Sequence, residues 1–245
     1  MKRQKQARRP YCAAVVPAAG QGRRMGEGTD KLFRDVAGAP LLVHTLRALE
    51  ACPDIDEVVV AARPDAFETI GALVRRFGLS KVRSIVRGGG SRPHSVLNGL
   101  LAVSPFASLA AVHDGARPLV TPALISETVK LAAKTGAAAP AVPPKDTLKE
   151  ARLSQVLSTP DRAAMMLVQT PQVFDLGLIK GALTRALREG WQITDDCAAL
   201  ERMGMSVFLS QGSYENIKVT TPEDLIICEA LLARRARASE GGGAL

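Results

Sequence analysis

Aromatic residues are scarce in this chain of 245 residues: one Trp, two Tyr and six Phe make up 4% of it. Proteins that bind single-stranded nucleic acid use aromatic side chains as stacking platforms, so this scarcity argues against that class. No apolar run approaches the ~20 residues that a membrane-spanning helix needs. Apolar residues nevertheless make up 47% of the chain. We therefore expect a globular protein that binds neither nucleic acid nor a membrane.

Recognisable metal and redox motifs are also missing. The four cysteines lie far apart and form no CxxC pair, which argues against a zinc ribbon and a disulfide framework. We expect reduced, packed thiols and a cytoplasmic protein. The three histidines show no pair at ligand spacing, so the sequence predicts neither a histidine metal site nor a Ser–His–Asp triad.

The net charge of +8 is concentrated at the two ends of the chain. Residues 1–10 carry five positive charges and no acid, and residues 234–245 carry a net +2, which leaves +1 for residues 11–233. We predict a disordered basic tail over residues 1–10, a single domain over residues 11–235 and a flexible tail over residues 236–245. The first tail lacks the apolar segment of a signal peptide. A nucleic-acid-binding protein that uses these tails is a distant alternative.

Strand-like runs alternate with helix-like runs along most of the chain. Strands are predicted at 13–16, 57–62, 82–86, 109–112, 137–142 and 206–209, and helices at 41–51, 65–77, 91–103, 122–134, 175–188, 194–203 and 222–234. This alternation predicts an α/β protein with a Rossmann-like, mostly parallel sheet and helices on both faces. The segment 143–160 opens with two prolines and alternates polar and apolar residues, which predicts a protruding β-arm. Ligands of such sheets bind at the carboxyl ends of the strands.

Two loops that follow predicted strands suit phosphate chemistry. The first, PAAGQGRRMG, is followed by Lys31; its glycines let the backbone approach a phosphate, and its cations would neutralise charge. It matches neither Walker A nor GxGxxG, and an ordinary tight turn is the alternative. The second, HDGARP, places Asp114 at a strand end. A single carboxylate beside a triphosphate suits Mg²⁺, and a turn or helix-capping Asp is the alternative. His113 in the same loop is predicted to be a packed or hydrogen-bonded side chain.

A third loop, GGGSRPHSV, follows the strand predicted at 82–86. Its glycines leave room for a flat ligand such as a base, and Ser91 is typical of a helix N-cap. A flexible loop that leads into a helix is the alternative.

These loops belong to an ordered set of strings: PAAGxGxRMG, GGxxRxxSV, HDGARP, KDTLK, TPQVF, ITDD and NIKVTTPEDL. Across about residues 12–232 the set resembles the 2-C-methyl-D-erythritol 4-phosphate cytidylyltransferases of the non-mevalonate isoprenoid pathway. The resemblance implies transfer of CMP from CTP to 2-C-methyl-D-erythritol 4-phosphate by in-line attack, with Mg²⁺ or another divalent cation as cofactor. It also implies a homodimer joined by the 143–160 arm. A ribitol-5-phosphate cytidylyltransferase is the alternative, because its acceptor is also a polyol phosphate.

The resemblance also implies a role for each residue that lies in a matching string. The catalytic cations would be Arg24, Lys31 and Lys218. The acceptor would be held by Arg117, Thr147, Arg162 and Thr194, with Arg162 reaching from the neighbouring subunit. The nucleotide would contact Ala14, Ala18, Ala19, Gly20, Gly22, Gly89, Ser95, Asp114 and Gly115, and Asp114 would also be the metal ligand. The chain departs from the family pattern at Pro144, where many relatives have Val, and at Gly90, where some have Asp.

Overall fold

A mixed β-sheet forms the centre of the protein. The computed structural model describes residues 9–20 and 30–241, with side chains as far as residue 238. The strands in these ranges are β1 (Cys12–Ala18), β2 (Asp35–Val36), β3 (Ala39–Pro40), β4 (Glu57–Ala62), β5 (Val82–Arg87), β6 (Leu109–Val112), β7 (Ala137–Val142), β8 (Glu150–Arg152), β9 (Gln155–Ser158), β10 (Leu167–Val168), β11 (Gln172–Asp175) and β12 (Phe208–Gln211). The α-helices there are α1 (Leu41–Ala51), α2 (Phe67–Arg76), α3 (Arg92–Leu101), α4 (Pro122–Thr135), α5 (Leu176–Arg188), α6 (Cys197–Glu201) and α7 (Pro222–Gly241).

The main sheet is mostly parallel, as the alternation of strands and helices predicts. Strands β6, β1, β4 and β5 lie side by side in that order and run parallel. Strand β11 lies antiparallel between β6 and β7. Strand β10 precedes β11, to which it is joined through the cis Thr170–Pro171 bond, and pairs antiparallel with the last two residues of β7. Strand β12 pairs parallel with the opposite edge of β7. The Rossmann-like α/β fold is confirmed, with β10 and β11 as strands that the sequence pattern does not predict.

Helices cover both faces of this sheet because its central strands are apolar on both faces. Along β1, Cys12, Ala14 and Val16 pack into a core that includes side chains of α1, α2, α4 and α7. Ala13 and Val15 point to the opposite face and pack into a core with side chains of α3, α5 and α6. This alternation follows from the two-residue period of a strand.

The boundaries of several elements differ from the predicted ones. Helix α6 spans only Cys197–Glu201, and β12 begins two residues later than predicted. Helix α7 continues to Gly241, so residues 236–241, predicted to be a flexible tail, are helical. At the other end, Arg9 forms a two-pronged ion pair with Asp56, with N–O distances of 2.8 and 2.7 Å. Arg9 therefore does not belong to a disordered tail.

The arm is a β-hairpin of β8 and β9 that projects from the domain. Every residue of the two strands is exposed. Leu153 and Ser154 form the turn with positive φ angles of 46° and 67°. The predicted protruding arm is therefore present. Within the described ranges, no helix is both long enough and apolar enough to cross a bilayer.

Candidate active site

A cavity of about 910 Å³ opens where β1, β4, β5 and β6 end. Parallel strands present their carboxyl ends at one edge of a sheet, so the loops that follow them meet there. The cavity is lined by Pro17, Ala18, Ala19, Gly20, Lys31, Leu32, Arg63, Pro64, Arg87, Gly88, Gly89, Gly90, Ser91, Arg92, Ser95, Asp114, Gly115, Ala116, Lys218 and Thr220. Five of these side chains are cationic and one is acidic. The cavity is therefore suited to a ligand with several negative charges.

Two glycines let backbone segments approach closely at one wall of the cavity. A Cβ atom on Gly88 would lie 2.5 Å from the Cβ of Ala19, and one on Gly89 would lie 2.3 Å from the Cβ of His94. The buried Ser95 hydroxyl accepts a hydrogen bond from the Gly89 amide (3.0 Å) and donates one to the Ser91 carbonyl (3.0 Å). The 88–91 segment is therefore a hydrogen-bonded wall, and Ser91 is the N-cap of α3, as predicted.

Asp114 lies at the centre of a cluster of charges. Its Oδ2 is 3.0 Å from Lys218 Nζ and 3.5 Å from Arg117 Nε, and its Oδ1 is 3.3 Å from Arg92 Nε. Burial by itself would raise the pKa of this carboxyl, but the three cations outweigh burial and hold the pKa well below its usual range. Asp114 is therefore ionised at physiological pH.

Two charged residues of this cluster, Arg92 and Asp196, are absent from the predicted site. Arg92 Nη1 lies 2.8 Å from Oδ2 of Asp196, an ion pair outside hydrogen-bond geometry, and Asp196 is completely buried. Burial raises the pKa of Asp196. Burial lowers the pKa of Arg92, but the carboxylates of Asp196 and Asp114 outweigh it and raise that pKa. Both residues lie in quoted strings, GGxxRxxSV and ITDD, but 104 positions apart, which hides their contact.

His113 supports the loop that carries Asp114. The Thr170 hydroxyl accepts a hydrogen bond from the Asp114 amide (3.1 Å) and can therefore donate to His113 Nδ1 (2.9 Å). This pairing leaves the proton on Nε2, which lies 3.3 Å from the Arg117 carbonyl. Complete burial lowers the pKa of His113 to about 4, so the imidazole is neutral. The prediction of a packed, hydrogen-bonded histidine is confirmed.

Lys31 and Lys218 reach the cavity from segments that are distant in sequence. Lys31 Nζ donates a hydrogen bond to the Val219 carbonyl (2.8 Å), and the Val219 amide donates to the Ala116 carbonyl (2.8 Å). The same segment is held by buried Asn216, which donates to the Thr170 carbonyl (2.9 Å). Lys31 is thus hydrogen-bonded to the residue that follows Lys218, and both lysines line the same cavity.

Nine predicted site residues line the cavity: Ala18, Ala19, Gly20, Lys31, Gly89, Ser95, Asp114, Gly115 and Lys218. Arg117 lies just behind it, where its Nη1 donates to the Asn216 carbonyl (2.7 Å). Ala14 is completely buried in the middle of β1 and does not line the cavity. We correct that assignment, because the strand reaches the cavity only from Pro17 onward.

Three predicted acceptor-binding residues, Thr147, Arg162 and Thr194, do not line the cavity. Arg162 donates from Nη1 to the Lys145 carbonyl (2.8 Å) at the base of the arm. It lines a second, shallower cavity there, of about 610 Å³. Thr147 and Thr194 are exposed. Gly22 and Arg24 lie outside the described residues.

Asp114 is the one acidic side chain in the described lining of the cavity. Within the described ranges, no three His, Cys, Asp or Glu side chains are grouped so that they could hold a metal ion. Mg²⁺ is commonly bound by one or two carboxylates together with substrate phosphates. Asp114 is therefore the one residue of the described lining whose carboxylate could hold a Mg²⁺ that arrives with substrate phosphates.

Comparison with known proteins agrees with this geometry. The family model for 2-C-methyl-D-erythritol 4-phosphate cytidylyltransferase (IspD) matches residues 12–234. The enzyme of that name from Halalkalibacterium halodurans is 47% identical over 92% of this chain and 98% of its own length. Its namesake from Pelotomaculum thermopropionicum is 47% identical over 94% of this chain and 98% of its own.

Solved structures lead to the same family. The 4-diphosphocytidyl-2C-methyl-D-erythritol synthase of Anaerococcus prevotii superposes with a TM-score of 0.80 at 31% identity and covers 91% of this chain and 99% of its own. The cytidylyltransferase of Thermus thermophilus superposes with a TM-score of 0.75 at 35% identity, over 90% and 98% of the two chains. The chain therefore belongs to the 2-C-methyl-D-erythritol 4-phosphate cytidylyltransferase family of nucleotidyltransferases.

Proposed function

We propose that the protein transfers CMP from CTP to 2-C-methyl-D-erythritol 4-phosphate, giving 4-diphosphocytidyl-2-C-methyl-D-erythritol and pyrophosphate. Family membership supplies the reaction and the substrate pair. The observation in this chain that carries the proposal is the cavity at the strand ends, which brings Lys31, Lys218 and Asp114 together beside a glycine-rich wall. A cationic cavity of about 910 Å³ is large enough for a nucleotide.

The chemistry requires charge stabilisation more than proton transfer. An oxygen of the acceptor phosphate forms a bond to the α-phosphorus of CTP, and the bond from that phosphorus to the β-phosphate bridge breaks in line. Both reactants are anions, so alignment and neutralisation of charge account for most of the barrier. A phosphate monoester has a second pKa of about 6 and is already an oxyanion at neutral pH. The reaction therefore needs no general base, in agreement with a His113 that is completely buried and hydrogen-bonded at both ring nitrogens.

Lys31 and Lys218 are the cations that we assign to the phosphates. Both line the cavity, and the side chain of Lys218 is 40% exposed, so its ammonium group can reach a ligand. Mg²⁺ bound to the triphosphate, with Asp114 as its protein ligand, would withdraw further charge from the phosphates. We place the base of CTP beside Gly88 and Gly89, where a side chain would clash with neighbouring atoms.

An acceptor assay tests this function. The protein is incubated with CTP, Mg²⁺ and either 2-C-methyl-D-erythritol 4-phosphate or ribitol 5-phosphate, and pyrophosphate release is measured. We expect rapid release with the first acceptor. Faster turnover of ribitol 5-phosphate would overturn the choice of acceptor, and no release with either acceptor would overturn the proposed reaction.

We also propose that the protein works as a homodimer joined by the arm. Leu153, Val156 and Leu157 of the hairpin are 95%, 56% and 55% exposed. Met166, Leu167 and Val168, which follow the arm in the chain, are also exposed. Contiguous apolar side chains that the chain itself does not cover are typical of an interface between proteins. Light scattering of the purified protein tests the dimer.

A dimer would also account for the positions of Thr147 and Arg162. Both lie at the arm, away from the cavity of their own chain. We propose that they complete the acceptor site of the partner subunit, because every residue of both arm strands is exposed and so accessible to a second chain. We also propose a cytoplasmic location, which is supported by four buried cysteines that are all free thiols.

A further inference from the structure

We propose that Arg92, held by Asp196, is a positioning residue that fixes Asp114 at the cavity, so that Asp114 does not depend on Lys218 for its placement. The inference rests on the proposed cytidylyl transfer and adds two residues to its machinery. Neither residue is assigned a role by the family resemblance or by the names of the related proteins.

The geometry is a row of alternating charges that runs from the interior to the cavity. Asp196 Oδ2 lies 2.8 Å from Arg92 Nη1, Arg92 Nε lies 3.3 Å from Asp114 Oδ1, and Asp114 Oδ2 lies 3.0 Å from Lys218 Nζ. Arg92 thus contacts one oxygen of Asp114, while Lys218 and, at 3.5 Å, Arg117 contact the other. When the Lys218 ammonium group engages a substrate phosphate, Arg92 still holds Asp114.

Asp196 is poorly explained by stability alone. It is completely buried, and within the described part of the chain its Oδ1 has no hydrogen-bond partner. Among the described residues, its one ion pair is with Arg92. A buried ion pair of this kind is often no more stable than an apolar pair of the same volume. A role in placing the Arg92 guanidinium accounts for a carboxylate at this position.

The neighbouring Asp195 has a different role and provides a matched control. Its Oδ1 accepts a hydrogen bond from the Ala198 amide at the start of α6 (3.0 Å), and its Oδ2 accepts one from Gln172 Nε2 (2.7 Å). Asp195 therefore supports local structure and touches none of the cavity cations. The two adjacent aspartates allow a test that separates loss of structure from loss of positioning.

An arginine is better suited than a lysine to link these two carboxylates. Its planar guanidinium presents several N–H groups at fixed angles, whereas an ammonium group is a point charge. Here Nε faces Asp114 and Nη1 faces Asp196. The side chain remains 28% exposed and lines the cavity. The same guanidinium thus connects a buried anchor with the site.

The decisive experiment compares Arg92→Gln with the double variant Arg92→Gln/Asp196→Asn. The single change leaves Asp196 buried without its cation, which lowers the melting temperature. It should also lower kcat about tenfold, while the KM for CTP changes by less than about threefold. In the double variant both charges are removed, so we expect the melting temperature to recover while kcat stays low. Recovery of kcat together with the melting temperature would overturn the proposal, because Arg92 would then serve only to neutralise Asp196.

Further variants keep the test informative if Arg92→Gln does not fold. Asp196→Asn keeps Arg92 but removes the carboxylate that holds its guanidinium. Arg92→Lys keeps the positive charge but cannot contact Asp114 and Asp196 through separate N–H groups at fixed angles. Each should lower kcat by about threefold to tenfold, whereas Asp195→Asn should lower the melting temperature and leave kcat within about twofold. Unchanged kcat in both test variants, or an equal loss in Asp195→Asn, would overturn the inference. An inactive wild-type protein in the same assay would instead overturn the proposed function.

Discussion

The cavity and the arm differ in how far their side chains are contacted by other residues of the same chain. At the cavity, Asp114, Arg92 and Lys218 are engaged by partners from the same chain. In the arm, every residue of β8 and β9 is exposed, and Leu153 at the turn is 95% exposed. The charged lining of the cavity is therefore held by contacts within one chain, whereas the described residues leave the apolar side chains of the hairpin uncovered.

This difference separates the functional residues into two groups. Lys31 and Lys218 line the same cavity, and under the proposed function a change in either acts on the chemistry directly. Arg162 lies at the base of the arm beside Lys145, and we assign it to the partner's cavity. Four changes, in order of decreasing expected effect, test whether the two regions are independent in this way.

The largest effect is expected for Lys31→Ala. Loss of one cation aimed at the phosphates should lower turnover by about a hundredfold to a thousandfold, because preorganised charge stabilisation is a major part of such catalysis. The melting temperature should change little, and steady-state kinetics with thermal unfolding measures both. Lys130→Ala is the matched control, because Lys130 is exposed on α4 and, among the described residues, forms its one ion pair with Asp54, at 3.7 Å. Near-normal turnover in folded Lys31→Ala would contradict the role of the cavity.

The second effect is a decrease in the free energy of unfolding at acidic pH, caused by the buried His113. An unfolded imidazole takes up a proton near pH 6.5, whereas burial lowers the pKa of His113 to about 4. The unfolded state therefore binds more protons in this window, and stability falls as pH decreases through it, by up to about 3 kcal/mol. Urea unfolding between pH 7 and 4 measures the slope.

Two histidine variants isolate the source of this pH dependence. His113→Asn should flatten the slope, since Asn does not titrate, even though the variant is less stable at every pH. His94→Gln should keep the slope, because His94 is exposed at the start of α3. A slope that survives in His113→Asn would show that other groups produce it.

The third effect concerns sharing of sites between subunits. Arg162→Ala should raise the KM for the acceptor about tenfold and leave the affinity for CTP unchanged, because Arg162 does not line the main cavity of its own chain. Mixing this variant with Lys31→Ala and allowing subunits to exchange should restore about a quarter of wild-type activity, since half of the dimers would contain one intact site. If Arg162 acted within its own chain, mixing would restore nothing.

The smallest effect is expected at the tip of the arm. Leu153 has a φ of 46° and Ser154 a φ of 67°, which is the turn geometry that Asn-Gly favours. Leu153→Asn should therefore stabilise the monomer by about 0.5 kcal/mol and weaken the dimer about tenfold, because it removes an apolar contact. Sedimentation across a range of concentrations measures the dimer. An unchanged dissociation constant would show that the tip of the arm lies outside the interface.

Elements with a strong local pattern are predicted well from the sequence. Helix α1 and strands β4, β6 and β7 have the predicted bounds, because short apolar strands and amphipathic helices follow from local periodicity. Strand β11 has no comparable signal. It is a strand because it fills the gap between β6 and β7, and pairing of this kind depends on residues far away in the chain. The same holds for β10.

The site was predictable only where function and local sequence coincide. Asp114 and Lys218 stand out because each lies in a recognisable string, and Lys31 because it follows one closely. Arg92 and Asp196 lie in such strings too, but neither string indicates that the two side chains meet. Ala14 shows the opposite error: it precedes the phosphate loop closely in sequence, yet it is buried in the sheet.

The sequence by itself therefore determined the α/β class, the family and nine of the twenty residues that line the cavity, because these depend on periodicity and on motifs within single loops. Tertiary structure alone decided that Arg92 meets Asp196 and that Lys31 donates a hydrogen bond to the residue after Lys218. Each of these is a contact between residues that are distant along the chain. A sequence shows which residues are charged but not how far apart they lie. The fold determines which charged side chains come into contact.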